Sequence, residues 1–393
     1  MQSIFIKDHI HDSQPITSED VGLYIHIPFC AQRCHFCAFY LVRENEQKIE
    51  RFVADLKKEI VLWASQENVT FQKISTVYFG GGTPTVLSPD QLGDILNCVK
   101  SYWSVDAQAE VTVEATPESV STKKITDLMQ AGVSRLSMGV QTFDLQERER
   151  LGLHPGIFQV RNAVQSAYSA GLDNLSLDVM YGIPGQTVSS WEETLARVLD
   201  LRPRHLSCYA LSLEEGTQFF RQWKRGNMRV FNSVEEQDFQ GLANEYASKA
   251  GLLRYEISNW ASPGFACRHN LRYWQGLDYL GLGPSAQSYV DAVRWGNVAD
   301  LSSYSKQLAH GQLPREDMER LSVSQRHKER VVFGLRQMEG IPVEWLQNLE
   351  HDMSLKQIMA RLQADDLISQ AGDRLHLTTR GLQLADTVGL ELW

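Results

Sequence analysis

The sequence predicts an α/β protein built on six parallel strands. Three observations lead there. Six β-rich runs recur through the first two-thirds of the 393 residues, each ending in small or polar residues and followed by an amphipathic helical stretch. Several runs are nearly continuous in apolar residues, the pattern of strands covered on both faces. The stretches between them carry helix punctuation: Ser88-Pro89 opens one, Ser119 lies near the start of another, and Gly132 and Gly171 stand where two should stop.

In chain order the expected strands are Val21–Pro28, Thr76–Gly80, Glu110–Ala115, Arg135–Gln141, Asn174–Tyr181 and His205–Leu211. Helices are expected at 44–66, 88–101, 119–131, 157–171 and 187–201. This alternation implies a parallel sheet with right-handed crossovers. An open doubly wound sheet and a whole or partial barrel both satisfy the spacing. From about 218 to 320 the pattern is less regular and rich in Trp, Tyr and Arg. Short helices follow at Ser324–Met338, Val343–Glu350 and Ser354–Asp366, then strand, turn at Ala371-Gly372-Asp373, strand and helix. That order suggests a small winged-helix-like module. The expected division is an N-terminal segment 1–20, a core 21–235, an extension 236–320 and a winged-helix-like domain 321–393.

Composition narrows the function. Apolar residues make up 43% and charged residues 22%, enough for a sizeable buried core. The net charge of −10 argues against broad phosphate-backbone binding, so no nucleic-acid partner is expected. No apolar run reaches the length of a membrane span, and the first residues lack the basic-then-apolar order of a secretory signal. A cytoplasmic location is the default expectation. Six cysteines in so long a chain are not a disulfide framework; where cysteines cluster, metal ligation or catalysis is the better expectation.

Three of them do cluster. Cys30, Cys34 and Cys37 follow directly on the first strand with the spacing C-x3-C-x2-C. Three thiolates on one short loop can wrap a compact soft metal centre. Packing as small core residues is the bland alternative, though three within eight residues of a strand end is poor core patterning. A closed zinc site needs a fourth ligand, and His35 lies awkwardly between two cysteines. An ordinary electron-transfer cluster uses four cysteines, whereas three leave one iron open for chemistry.

With this spacing after the first strand of a repeated β/α chain, the sequence resembles the radical S-adenosylmethionine (SAM) superfamily. The resemblance implies a partial (β/α)6 barrel followed by an α+β extension that ends in the winged-helix-like module. It implies a [4Fe–4S] cluster on Cys30, Cys34 and Cys37, with SAM chelating the open iron and cleaved by electron transfer to a 5′-deoxyadenosyl radical. The preceding Tyr24-Ile25-His26-Ile27-Pro28-Phe29 resembles the branch that contains oxygen-independent coproporphyrinogen III oxidase and the HemW-type haem chaperones.

Sites in parallel β/α folds form where strands end, and polar residues recur at such ends here. The second strand ends in Gly80-Gly81-Gly82-Thr83-Pro84, the third at Glu114, the fourth at Gln141, and the fifth carries Asp178. Glycines admit close backbone approach, acids suit ribose or amino groups, and an amide bridges donor and acceptor. Each has a structural alternative, such as a tight turn or a capping acid. The family likeness assigns Tyr24, Phe36, Gly81, Gly82, Thr83, Glu114, Gln141 and Asp178 to SAM or its pocket. Two positions depart from the family pattern. Leu153 stands where relatives have an arginine, with Arg150 and His154 as neighbours that could compensate, and Gln287 stands where many relatives have histidine.

Further on, His269-Asn270-Leu271-Arg272-Tyr273-Trp274 resembles the HemW segment with the pattern His-Asn-x-x-Tyr-Trp, which makes His269 a haem-ligand candidate. The alternative is a histidine hydrogen-bonded within a tightly packed segment. Cys98, Cys208 and Cys267 read as core thiols. The oxidase branch carries a further cysteine where this chain has Phe39, and an N-terminal extension for which little room precedes Val21. Both features favour the chaperone side. Haem or another tetrapyrrole, an acceptor haem protein and an electron donor such as flavodoxin or ferredoxin are the implied partners, and a homodimer is compatible. The enzymatic alternative is decarboxylation of a porphyrinogen, or radical methylation of another substrate. Sequence leaves open whether SAM is cleaved in the physiological role.

Overall fold

The computed structural model describes residues 16–153, 156–347 and 353–393. Most of the expected segment 1–20, and His154, therefore lie outside the described residues. The six expected strands are present as β1 (Val21–Ile27), β2 (Ile74–Gly81), β3 (Val105–Ala115), β4 (Arg135–Gln141), β5 (Leu175–Tyr181) and β6 (His205–Ala210). Between them lie helices α1 (Glu46–Ala64), α2 (Pro89–Tyr102), α3 (Thr122–Gln130), α4 (Leu145–Leu151), α5 (Ile157–Ser169) and α6 (Val188–Asp200). Five were expected. The short α4 was not, because seven residues of sequence Leu-Gln-Glu-Arg-Glu-Arg-Leu offer too little apolar periodicity to stand out. Asp144 caps it by accepting the N–H groups of Gln146 and Glu147, and Gly152 closes it with φ 73°.

Strand order separates the two architectures that spacing allowed. β1 to β6 lie side by side in chain order and pair in parallel. A doubly wound sheet would reverse at a switch point. Unbroken order is the winding of a barrel, and the strand order is linear, with two ends that do not pair. Both ends are extended beyond the six strands. Beyond β6 come β7 (Leu253–Glu256) and β8 (Asn259–Ala261). Beyond β1 comes β9 (Tyr279–Leu282), a seventh parallel strand, and then antiparallel β10 (Gln287–Val290), β11 (Val293–Asn297) and β12 (Arg315–Arg320). These short strands, with helices α7 (Gln218–Lys224), α8 (Ser233–Lys249), α9 (Arg268–Trp274) and α10 (Leu301–Ala309), fall in the aromatic-rich region whose periodicity is weak.

Period-two alternation gives the sheet two unlike faces. Leu23, Ile25, Val77, Phe79, Val111, Val113, Leu136, Met138, Leu175 and Leu177 belong to the main apolar core. The residues between them are polar: Thr76, Glu110, Thr112, Arg135, Ser137, Ser176 and His205 are all buried. Both faces are covered, as expected, but only one is apolar. Register then stacks the polar residues across strands, pairing Glu114 with Ser137 and Ser207 with Asp178. The polar face is the barrel interior, and it is where the site is built.

A buried carboxylate ties α1 to the strands added beyond β1. Glu59 of α1 is fully buried and accepts the Gly283 N–H at 2.8 Å, the Asn297 amide at 2.6 Å and the Tyr304 hydroxyl at 2.7 Å. Burial outweighs these bonds and raises its pKa to about 7. The folded protein therefore holds this proton more tightly than the unfolded chain. Its contribution is fully present below the unfolded pKa and is lost as pH rises through about 7. Stability should fall by about 3 kcal/mol between pH 4.5 and 7 from this group. Urea unfolding across that range should show the slope, and Glu59→Gln should flatten it; an unchanged slope in the variant would exclude Glu59 as the source.

The C-terminal part carries α11 (Val323–Gly334), β13 (Ile341–Pro342), α12 (Glu344–Gln347), α13 (Met353–Ala364), β14 (Ile368–Ala371), β15 (Arg374–Leu377), α14 (Thr379–Gln383) and α15 (Ala385–Leu392). Its three antiparallel strands run in the order β13-β15-β14. It has a separate apolar cluster that includes Leu335, Ile341, Leu362, Leu375 and Val388. Part of the expected helix 343–350 lies outside the described residues.

Candidate functional site

β1 delivers the chain to the cysteine loop, which is held by backbone bonds and by the Gln32 side chain. Val42 N–H donates to Pro28 O at 2.7 Å and Glu44 N–H to Cys30 O at 3.2 Å. On the far side, His35 N–H reaches Leu151 O at 2.9 Å and Gln32 Nε2 reaches Gly152 O at 2.8 Å. A Cβ on Gly152 would meet the His35 ring at 2.9 Å. The end of α4 is thus a seat for the loop, a role that sequence reading missed with the helix itself. Cys30, Cys34 and Cys37 are all partly exposed. Burial, and then the neighbouring Cys37 and Cys30, push the Cys34 thiol up to about 12. Burial likewise raises Cys37.

The glycine run at the end of β2 packs on the strand that feeds this loop. Gly82 N–H donates to Ile27 O and Thr83 N–H to Phe29 O, both at 2.8 Å. A Cβ on Gly82 would lie 2.3 Å from Phe29 O. Gly81 has φ 106°, and a Cβ there would strike the His26 ring. These glycines are needed for internal contact before any ligand is considered. The same docking puts Thr83 Oγ1 3.3 Å from Cys30 Sγ.

Three strand-end groups sit beside it. Glu114 accepts the Tyr78 hydroxyl at 2.8 Å and the Gly81 N–H at 3.1 Å. Burial, with Asp178 nearby, raises its pKa to about 7 despite these bonds. Asp178 accepts Ser176 at 2.7 Å and Ser137 at 2.9 Å, and burial raises its pKa as well. Gln141 adopts φ 66° at a register shift between β4 and β5, and its Oε1 accepts the Tyr209 hydroxyl at 2.7 Å. Tyr24 lies over Tyr78 with ring centroids 6.1 Å apart. The structure therefore brings Tyr24, Gly81, Gly82, Thr83, Glu114, Gln141 and Asp178 to one end of the barrel interior. Tyr209 of β6 joins them, unforeseen because a lone tyrosine in a strand has no signature.

Phe36 faces the side wall. It packs with Leu151, Met180, Phe219 and Leu153 in a small apolar cluster. Leu153 is thus wall, not ligand. Arg150 does not take its place, because its guanidinium donates to Pro184 O at 2.8 Å. Arg148 is buried with donors on Val140 O at 2.8 Å and Thr142 O at 3.1 Å. Gln287 is exposed at the start of β10.

His269 lies elsewhere. It belongs to α9 (Arg268–Trp274), whose first N–H groups are accepted by Glu110: Arg268 at 3.1 Å and His269 at 3.2 Å. Its ring is 1% exposed. Nδ1 lies 2.8 Å from Thr76 Oγ1, and Nε2 lies 2.9 Å from the Tyr273 hydroxyl. A neutral imidazole has one N–H and one lone pair, and both are used. Iron ligation would require His269 to release a partner. Thr76 lies five residues before Gly81 on β2, about 16 Å along the strand. Arg272 pins the same helix, donating to Ser75 Oγ at 2.8 Å and to Asp278 O. Cys208 and Cys267 are buried, as expected of core thiols, and Cys98 is partly buried against the main core.

Comparison with known proteins identifies the family. The model of the radical SAM superfamily matches residues 24–198, and that of the HemN C-terminal domain matches residues 321–384. A protein of Lactococcus lactis subsp. lactis named heme chaperone HemW is 32% identical over 370 residues, covering 93% of this chain and 95% of that one. The HemW of Mycobacterium tuberculosis H37Rv is 32% identical over 377 residues, covering 95% of each. The chain belongs to the HemW family of radical SAM proteins. Coproporphyrinogen III oxidase (HemN) from Escherichia coli shares the fold, with a TM-score of 0.83 over 95% of this chain and 90% of that one, at 22% identity.

Membership in the radical SAM superfamily brings a [4Fe–4S] cluster and SAM with it. The donor set fits. Three partly exposed thiols share one loop, and the position at which the oxidase resemblance would call for a further cysteine holds Phe39, 58% exposed. Among the described residues no three His, Cys, Asp or Glu side chains converge tightly enough to share a single metal ion. A four-iron cluster takes each thiolate on a different iron and needs no such convergence. Among the described residues, no helix is long and apolar enough to cross a membrane.

Proposed function

We propose that this protein is a haem chaperone: it holds haem and passes it to an acceptor haem protein in the cytoplasm, with the cluster and SAM retained. The observation that carries this reading is the full-length likeness to proteins named heme chaperone. The oxidase likeness is of the fold alone. In this reading Cys30, Cys34 and Cys37 hold the cluster. Tyr24, Phe36, Gly81, Gly82, Thr83, Glu114, Gln141 and Asp178 hold SAM, and flavodoxin or ferredoxin supplies electrons. Residues 321–393 form the winged-helix-like unit, suited to protein contact. The experiment is anaerobic cluster reconstitution followed by two assays on one preparation. Stoichiometric haem binding without turnover is expected; conversion of coproporphyrinogen III to protoporphyrinogen would instead establish the oxidase.

SAM binding has its own pH signature. SAM carries a sulfonium and an ammonium, so binding favours an ionised Glu114. Because that carboxyl titrates near 7, affinity should fall about tenfold for each pH unit below it. Equilibrium dialysis between pH 5.5 and 8 measures this, and Glu114→Gln should give a flat, weaker profile. A wild-type affinity independent of pH would remove Glu114 from the site.

A further inference from the structure

A cleft of about 790 Å³ opens between strands β9 and β10 and helix α11, away from the cysteine loop. That volume lies within the range of small-molecule sites. One wall is a single helical face: Val323, Arg326, His327, Arg330 and Phe333 recur at spacings of three and four residues. The opposite wall is aromatic, with Trp274 and Tyr279. Trp274 Nε1 is buried with no hydrogen-bond partner among the described residues. Four carboxylates also line the cleft, Glu19, Asp20, Asp278 and Glu329; Glu329 is paired with Arg294 and Asp20 with Arg272, which leaves the flat rings, two arginines one turn apart and an imidazole to suit a planar, metal-bearing ligand with carboxylate arms.

We propose that haem is held in this cleft, with His327 as an axial ligand and Arg326 and Arg330 on its propionates. The inference rests on the chaperone reading and deepens it by placing the cargo. His327 is partly exposed and makes no hydrogen bond to a described residue, so its lone pair is available. His269, by contrast, has both nitrogens engaged. The two arginines suit carboxylates. Both are exposed and neither makes an ion pair with a described carboxylate; Arg330 instead lies 3.8 Å from the centre of the Trp345 ring. The third arginine of the cleft, Arg294, is committed to Glu319 and Glu329, each at 2.7 Å.

The His-Asn-x-x-Tyr-Trp segment then has a different part. Trp274 is cleft wall, and Tyr273, at the cleft edge, donates to or accepts from His269. The His269 ring stacks on Tyr78 at 5.1 Å, and Tyr78 donates to Glu114. A continuous line of rings and hydrogen bonds joins the cleft to the strand-end site. His269 is a positioning residue in that line.

Hemin titration of the reconstituted full-length protein tests this, read by Soret absorbance and electron paramagnetic resonance. His327→Ala should weaken hemin binding at least tenfold and lose the histidine-ligated signature, and added imidazole should restore that signature. His269→Ala should keep the ligand signature. Arg326→Ala with Arg330→Ala should weaken hemin but not its dimethyl ester. Circular dichroism melts confirm that each variant is folded; His327 lies on a helix surface, so its melt should match wild type. Wild-type affinity and spectrum in His327→Ala would overturn the cleft while leaving the chaperone reading intact. Failure of the unmutated protein to bind hemin would overturn both.

Discussion

Cys34→Ala should yield a folded protein that holds no iron–sulfur cluster. Two thiolates cannot retain a four-iron cluster that calls for three, and no fourth cysteine on the loop can substitute. After anaerobic reconstitution, iron and labile sulfide should fall below about a tenth of wild type, in line with the complete loss expected when a ligand is removed. The fold should persist. The loop is tied by backbone bonds to Leu151 and Pro28 and by Gln32 to Gly152, none of which involves the Cys34 side chain. Without iron, that thiol is neutral, since burial and its neighbours push it up to about 12. Trading a partly exposed thiol for a methyl group should change stability by less than about 1 kcal/mol. Paired measurements of iron content and thermal melting separate the two effects. Near-stoichiometric iron in the variant would mean that the cluster lies elsewhere.

Gly82→Ala should be the most damaging single methyl group near the site. The new Cβ would sit 2.3 Å from Phe29 O and 2.9 Å from Ile27 O. Both are backbone atoms of the strand leading into the cysteine loop, so neither can swing aside. At Gly81 the obstacle is the His26 ring, which can move, although φ of 106° adds strain. Relief at position 82 requires β2 and the loop to part, breaking the bonds from Gly82 to Ile27 and from Thr83 to Phe29. Overpacking of this kind costs about 2–3 kcal/mol. The separation also moves Thr83 away from Cys30, so SAM affinity should fall at least about tenfold, the equivalent of roughly 1.4 kcal/mol. Urea midpoints and equilibrium dialysis measure the two losses. A variant with wild-type stability and affinity would show that the two segments do not pack as described.

The six core strands were legible because each is a compact β-rich run closed by small or polar residues and followed by an amphipathic helix, and their ends were legible because polar residues recur there. Edge strands such as Leu253–Glu256 and Asn259–Ala261 were not, since three or four residues carry too little pattern. The polar interior was equally hidden. Thr76, Glu110, Arg135 and His205 each occur singly within strands, and only cross-strand register shows that they share a face.

His269 marks the boundary between the two kinds of information. Its motif advertises a ligand, yet its ring nitrogens are spent on Tyr273, four residues away, and on Thr76, 193 residues away. By itself the sequence pointed to the cofactor chemistry, because Cys30, Cys34 and Cys37 fall within eight residues of chain and their spacing resembles that of a known superfamily. It also determined the β/α alternation of the core, because hydrophobic periodicity is local, whereas the winding as a barrel was decided by strand order. The tertiary structure alone decided that both His269 nitrogens are engaged while His327 bonds to no described residue, and that aromatic rings and one helical face wall the same cleft. Those depend on which buried groups find partners, and such partners come from strands and helices far apart in the chain.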